Sequence, residues 1–185
     1  METLLKTYTY QDLLSEFPPE TRCEIIANEL FMPPAPNTEH QEISGELEFI
    51  FRVFCKEKRM GKVFDAPFDV ILDENNVVQP DIVFIANENL KYLTKRGFEG
   101  VPDLLVEIIS PSTFYRDSVE KKDLYEQFGV KEYWIVEPAN KVIEIFTLQN
   151  GKYILHQFVA EQGKIQSKLL QGFEVDLKDI FPQNT

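Results

Sequence analysis

The chain is short of several things that would narrow its role at once. It has two cysteines in 185 residues, Cys23 and Cys55, and their separation matches no metal-ligand spacing. They are expected to be reduced thiols in a cytoplasmic protein. No apolar run reaches the length of a membrane-spanning helix. Residues 1–20 carry Glu2, Asp12, Glu16 and Glu20 and no secretory hydrophobic stretch. Positive charge is scarce: 19 Lys and Arg stand against 31 Asp and Glu, a formal net charge of −12. That balance argues against a strong non-specific nucleic-acid binder, which normally carries a basic footprint, while leaving room for a local basic groove or for bound cations. No internal repeat, low-complexity segment or glycine-rich phosphate loop is visible, and the last absence weakens any reading as an enzyme of small phosphorylated molecules.

What is present is ample material for a core: 43% hydrophobic and 12% aromatic residues exclude a disordered chain. One domain spanning 1–185 is the expectation, with an N-terminal helix and hairpin (1–36), a core (37–137) and C-terminal strands with a tail (138–185). Thr9 caps a short helix from Tyr10 to about Glu16, stopped by Pro18-Pro19. Arg22–Ile26 and Glu29–Met32 form a hairpin across Ala27-Asn28. A long helix follows from about Thr38 to Arg59 with Gly61 ending it. Its stripe of Ile43, Leu47, Ile50, Phe51 and Phe54 is broadened by Phe49 and Val53, so both sides are expected to be covered. Strands are expected at Lys62–Asp65, Phe68–Leu72 and Pro80–Ile85, then a polar connection over 86–100. A helix runs from near Asp117, with Glu120 completing a capping box, to Phe128 before Gly129. Lys131–Glu137, Val142–Phe146 and Tyr153–Val159 are the last strands, the final pair joined by Asn150-Gly151. Gly163, Gly172 and Pro182 punctuate a tail. This order gives an α/β (α+β) domain with a mixed central sheet flanked by helices.

Two apolar runs carry the chemistry. Gln79-Pro80-Asp81-Ile82-Val83-Phe84-Ile85 and Val101-Pro102-Asp103-Leu104-Leu105-Val106-Glu107-Ile108-Ile109 both read as interior strands. Glu107 stands inside an aliphatic run, where a bare carboxylate is costly and requires a metal, a cation or a proton. If the two strands are neighbours, Asp81 and Glu107 lie on one face within reach of one divalent ion, and Mg²⁺ is content with one or two carboxylates plus waters. On the following helix, Lys121 shares a face with Leu124, Tyr125 and Phe128 and points inward, whereas Lys122 turns toward solvent. Two carboxylates and an inward lysine suit metal-assisted phosphodiester hydrolysis. The bland reading is a buried Glu107–Lys121 ion pair with Asp81 solvated at a strand start. Asp103 reads as a turn residue, His156 as structural, and Trp134 and the phenylalanines as core.

With Gln79-Pro80-Asp81, Pro102 through Ser112, Asp117, Lys121, Tyr125, Gly129-Val130 and Glu132-Tyr133-Trp134 in view, the chain resembles the "putative restriction endonuclease" family of small bacterial proteins, within the PD-(D/E)XK nuclease-like superfamily. The resemblance runs from the Glu24 hairpin to Ile180-Phe181. It implies a restriction-endonuclease-like αβββαβ core and a Mg²⁺ (or Mn²⁺) ion held by Asp81, Glu107 and the carbonyl of Ile108. It also implies DNA as substrate. The lysine expected two residues after the glutamate is Ile109 here, and Lys121 stands in for it. Glu24, His40 and Gln79 match supporting positions around the site. Each keeps a rival role: Glu24 pairing with Arg22 or a lysine, His40 packing at the helix start, Gln79 fixing the strand entry. The expected activity is Mg²⁺-dependent DNA cleavage, the alternative an inactive nuclease fold serving as a binding or regulatory module. A homodimer is expected, with the strands between Val142 and Val159 as a candidate interface.

Overall fold

The computed structural model describes residues 6–18, 21–111 and 113–181. Pro19, Ser112 and Pro182, used above as a helix stop, a motif end and a tail marker, lie outside the described residues. Helix α1, Tyr10–Glu16, starts at a reciprocal cap: Asp12 N–H donates to the Thr9 hydroxyl oxygen while the Asp12 carboxylate accepts from Thr9 N–H. Strands β1 (Glu24–Ile26) and β2 (Glu29–Phe31) form the expected hairpin, with both Ala27 and Asn28 left-handed at φ 50° and 67°. Helix α2 spans Thr38–Lys58, and the Asn37 side chain caps it by accepting from His40 N–H at 2.8 Å.

Gly61 does not end α2. Arg59 takes the left-handed position at φ 55°, and Gly61 instead opens β3. There a Cβ would sit 2.1 Å from the carbonyl oxygen of Ile85, so the glycine is required by the close approach of two strands. The broadened stripe on α2 is also corrected. Ile43, Leu47, Phe51 and Cys55 are buried along one face, while Phe49 and Val53 are exposed.

The strands are β3 (Gly61–Asp65), β4 (Asp69–Asp73), β5 (Asn76–Val78), β6 (Ile82–Ala86), β7 (Gly97–Glu99), β8 (Leu104–Ile108), β9 (Glu132–Glu137), β10 (Val142–Gln149), β11 (Lys152–Ala160), β12 (Lys164–Gln166) and β13 (Glu174–Asp176). Helix α3 is Lys121–Phe128. The six-stranded sheet has the order β11-β10-β9-β8-β6-β3, antiparallel except for the β8–β9 pair. Read along the chain, α2, β3, β6, β8, α3 and β9 give the αβββαβ core. A second sheet, β2-β1-β5-β4-β7, carries the N-terminal hairpin. Its strand β5 lies between the expected strands Phe68–Leu72 and Pro80–Ile85, and β7 lies inside the polar connection over 86–100. The buried Phe98 is the apolar residue that holds β7 in place.

Side-chain alternation gives the main sheet two distinct faces. Even-numbered residues of the central strands (Ile82, Phe84, Leu104, Val106, Trp134, Val136) pack on α2. The supposed tail completes that layer: Leu170, Phe173, Leu177 and Phe181 are buried in the same core, with Phe173 stacked on Phe51 at a centroid distance of 4.4 Å. Burying such a ring stabilises the fold by roughly 1.5–3 kcal/mol, so residues 163–181 are core rather than periphery. Odd-numbered residues (Val83, Ile85, Leu105, Tyr133, Ile135) face α3 and the second sheet.

Two polar expectations change. Asp103 is buried and accepts from Ala86 N–H at 2.8 Å, Lys131 Nζ at 2.7 Å and the Asn89 side chain at 2.9 Å. It therefore ties the end of β6 to the entry of β9, which is more than a turn role. His156 is exposed, at the point where β11 slips register against β10.

Candidate active site

The antiparallel register of β6 and β8 pairs Ile82 with Val106. One step further along the same register, Asp81 lies across from Glu107, both on the α3 face. Helix α3 delivers the cation. Lys121 Nζ lies 2.8 Å from Glu24 Oε1, 3.0 Å from Glu107 Oε1 and 3.5 Å from Asp117 Oδ1, so its three N–H donors each have a carboxylate. One turn on, the Tyr125 hydroxyl donates to the same Glu107 Oε1 at 2.8 Å. Asp81 Oδ2 accepts from Ile108 N–H at 2.8 Å and faces His40 Nε2 at 3.2 Å, and Arg22 approaches Asp81 Oδ1 at 3.8 Å.

Every residue expected at the site thus lines one cavity of about 870 Å³: Asp81, Glu107, Ile108, Lys121, Glu24, His40 and Gln79. Of the rival roles, Glu24 pairs with Lys121, not Arg22, and its Oε1 also accepts from Gln79 N–H at 2.8 Å. Gln79 binds the Asp69 carboxylate through its side-chain amide at 2.7 Å, so it fixes the strand entry while lining the cavity. Ile109, in the place of the motif lysine, is buried in the α3-face core. Lys122 does not turn freely to solvent. It is half-buried, with its ammonium 3.7 Å from the centroid of the Phe146 ring.

Asp117, Tyr133, Arg22 and the hydroxyl of Tyr125 are site components that the sequence reading does not single out. Asp117, taken for a helix start, is buried inside a π-helical turn, Arg116–Glu120, where Lys121 N–H reaches back to the Arg116 carbonyl. Turns of this kind recur at functional sites. Tyr133 donates its hydroxyl to the Asp117 carbonyl at 2.6 Å and satisfies the turn. The spacing of four between Asp117 and Lys121 was a usable signal. Arg22 and the hydroxyl of Tyr125 gave none, because a hairpin arginine and an apolar-face tyrosine have ordinary uses.

Electrostatics follow from the count. Three buried carboxylates, Glu24, Glu107 and Asp117, surround one buried ammonium, and a fourth, Asp81, lies beside His40 and Arg22. Burial pushes the Glu107 carboxyl well above the usual glutamate range; Lys121 opposes this, and Asp117, Asp81 and Glu24 add to it. Burial likewise raises Asp117, against Lys121 and a hydrogen bond from Thr113. Burial works against the Lys121 ammonium too, but Glu107, Glu24 and Asp117 outweigh it and hold its pKa well above the ordinary lysine value. Lys121 stays charged, and carboxyl groups outnumber cationic ones around it.

That surplus fits a cation. Glu107 Oε2 accepts no hydrogen bond among the described residues, and Asp81 Oδ1 has only the distant Arg22. Among the described residues no three His, Cys, Asp or Glu side chains stand in a ready ligand cluster. Asp81 Oδ1, Glu107 Oε2 and the Ile108 carbonyl are the groups that could hold a hard ion, which accepts one or two carboxylates together with waters.

No curated protein matches the chain. Among solved structures it is similar to a crystal structure described as a putative nuclease belonging to DUF820 from Anabaena variabilis ATCC 29413. The TM-score is 0.75 with 17% sequence identity, covering 92% of this chain and 96% of that one; this is a likeness of fold. No helix among the described residues is long and apolar enough to cross a membrane. A family model, Uma2, described as "Putative restriction endonuclease", matches residues 7–178, and the chain belongs to that family.

Proposed function

We propose that the protein is a divalent-metal-dependent endonuclease that hydrolyses DNA phosphodiesters. The observation that carries this reading is the juxtaposition of Asp81 and Glu107 across β6 and β8 with the Lys121 ammonium 3.0 Å from Glu107. Asp81 Oδ1, Glu107 Oε2 and the carbonyl of Ile108 would hold Mg²⁺ or Mn²⁺. The chemistry such an ion supplies when bound is polarisation of a phosphoryl oxygen and a lowered pKa for water. Hydrolysis forms one bond from the water oxygen to phosphorus and breaks one bond to the leaving alkoxide. Lys121 supplies a fixed positive charge where negative charge develops on the phosphoryl oxygens. Glu24 and Asp117 help Glu107 hold that ammonium in place. His40 and Ile108 N–H orient Asp81 by occupying Oδ2, leaving Oδ1 to the ligand.

The acidic composition favours a second reading, a nuclease fold retained as a binding or regulatory module. Titration of Mg²⁺ and Mn²⁺ with plasmid and oligonucleotide substrates separates the two. Cleavage that is lost in Glu107→Ala and Lys121→Ala is expected; folded protein that cuts no nucleic acid with either metal selects the second reading. Two further features belong to this proposal. The free, buried thiols of Cys23 and Cys55 suit a reducing cytoplasm. The outer strand β11, with Ile154, Leu155 and Phe158 exposed, suits a homodimer. Light scattering that gives a monomer mass would remove the dimer.

A further inference from the structure

Asp81, Glu107 and Lys121 are only 5%, 3% and 3% exposed. The candidate reacting groups therefore lie at the floor of the cavity, below its walls. Phe31, Pro33, Pro36, Pro111 and Phe114 give the lining an apolar part, beside the polar Glu39, Thr113 and Glu137, and the Arg116 guanidinium lies 4.0 Å from the centroid of the Phe31 ring. Among the lining residues Phe114 leaves its ring 52% exposed, and its neighbour in sequence, Tyr115, is 66% exposed. Among the described residues the cationic groups lining the cavity are Arg22 and the already paired Lys121. A duplex binder that tracks two backbones needs a row of basic side chains to neutralise phosphates. This cavity offers Arg22 to phosphate, with Arg116 over the ring of Phe31, and the exposed Phe114 ring with its prolines to bases. Aromatic side chains hold unpaired bases by stacking, which every base permits and which is closed to bases stacked inside a duplex.

Resting on the nuclease reading above, we infer that the substrate enters this cavity as an unpaired DNA strand. One phosphate descends to Asp81 and Glu107 beside Arg22, and the adjoining bases stack on Phe114 and Tyr115. A duplex serves only where it is frayed, gapped or flapped. Stacking of the bases then offsets part of the repulsion between the acidic chain and the phosphates.

The test is fluorescence anisotropy of the full chain with an end-labelled single-stranded oligonucleotide and with the same sequence as a blunt duplex. It is run in Ca²⁺, so that binding is read without cleavage. The single strand is expected to bind at least about tenfold more tightly. Phe114→Ala and Tyr115→Ala, both at exposed positions that the fold does not need, are each expected to weaken single-strand binding by about tenfold, within the range for loss of one stacked base. Equal or tighter binding of the duplex overturns the inference, as does single-strand binding unchanged in both variants. Single-strand binding that depends on Phe114 and Tyr115, without cleavage in Mg²⁺ or Mn²⁺, supports this inference and removes the nuclease reading. Single-strand binding lost while duplex is still cut does the reverse.

Discussion

Glu107 and Glu132 are both buried glutamates on adjacent strands of one sheet, facing opposite sides of it. Glu132 is saturated. Its Oε1 accepts from Trp134 Nε1 at 2.7 Å and the Ser167 hydroxyl at 2.6 Å, and its Oε2 accepts from the N–H groups of Lys168 at 2.9 Å and Leu169 at 2.8 Å. Neutral donors satisfy both oxygens, and the carboxylate ties the C-terminal segment to the sheet. Glu107 uses one oxygen for Lys121 and Tyr125 and turns the other toward a cavity in which carboxylates outnumber cations. Burial alone therefore does not mark a reactive carboxylate. On the proposed reading, Glu107 is set apart from Glu132 by its uncommitted oxygen and its place on the cavity.

The contrast breaks most visibly at Lys121. In Lys121→Met, Glu24, Glu107 and Asp117 lose their counter-charge, and stability measured by urea unfolding is expected to fall by about 3–5 kcal/mol. A much smaller loss would mean that the carboxylates tolerate one another without it. Glu132→Ala, on the other face, strands four donors and is expected to cost about 3 kcal/mol in the same assay, while leaving divalent-metal binding by the folded protein unchanged. Tyr125→Phe removes one hydrogen bond to a buried carboxylate, for which about 1.5 kcal/mol is expected.

The smallest effect is the most discriminating. Glu107→Gln in EDTA at neutral pH is expected to change stability by less than about 1 kcal/mol, because it removes a surplus charge along with a partner of Lys121. The pH dependence has a definite sign. Glu107 has a folded-state pKa raised above its ordinary 4.5, so the stability linked to its protonated form is complete below the ordinary value and is lost as pH rises through the raised one. Melting temperatures of metal-free protein should therefore decline with rising pH across that window, and less steeply in Glu107→Gln. Equal slopes would assign the decline to other groups.

Much of this was legible in the chain. The mixed sheet flanked by helices followed from strand and helix periodicity, its αβββαβ order from the family resemblance, and the inward aim of Lys121 from its spacing to Leu124 and Tyr125. What escaped depended on long-range contact. Glu132 opens a strand and resembles an edge residue until Ser167, Lys168 and Leu169 return to it from 35 to 37 residues away. Strands β5 and β7 are three residues each, too short for an alternation pattern to show. Asp117 looked like a cap because a π-helical turn has no periodic signature. Arg59 displaced Gly61 as the helix end because the glycine was already needed where β3 passes Ile85.

The central claim is that the surplus at Glu107 is a cation site and the saturated Glu132 is not. Calorimetric titration of Mn²⁺ into metal-free wild type, Glu107→Gln and Glu132→Gln, each kept below its melting temperature, tests it most directly. Binding in the wild type and in Glu132→Gln, weakened at least about tenfold in Glu107→Gln, is the predicted result. Equal binding in all three, or none in the wild type, would contradict it.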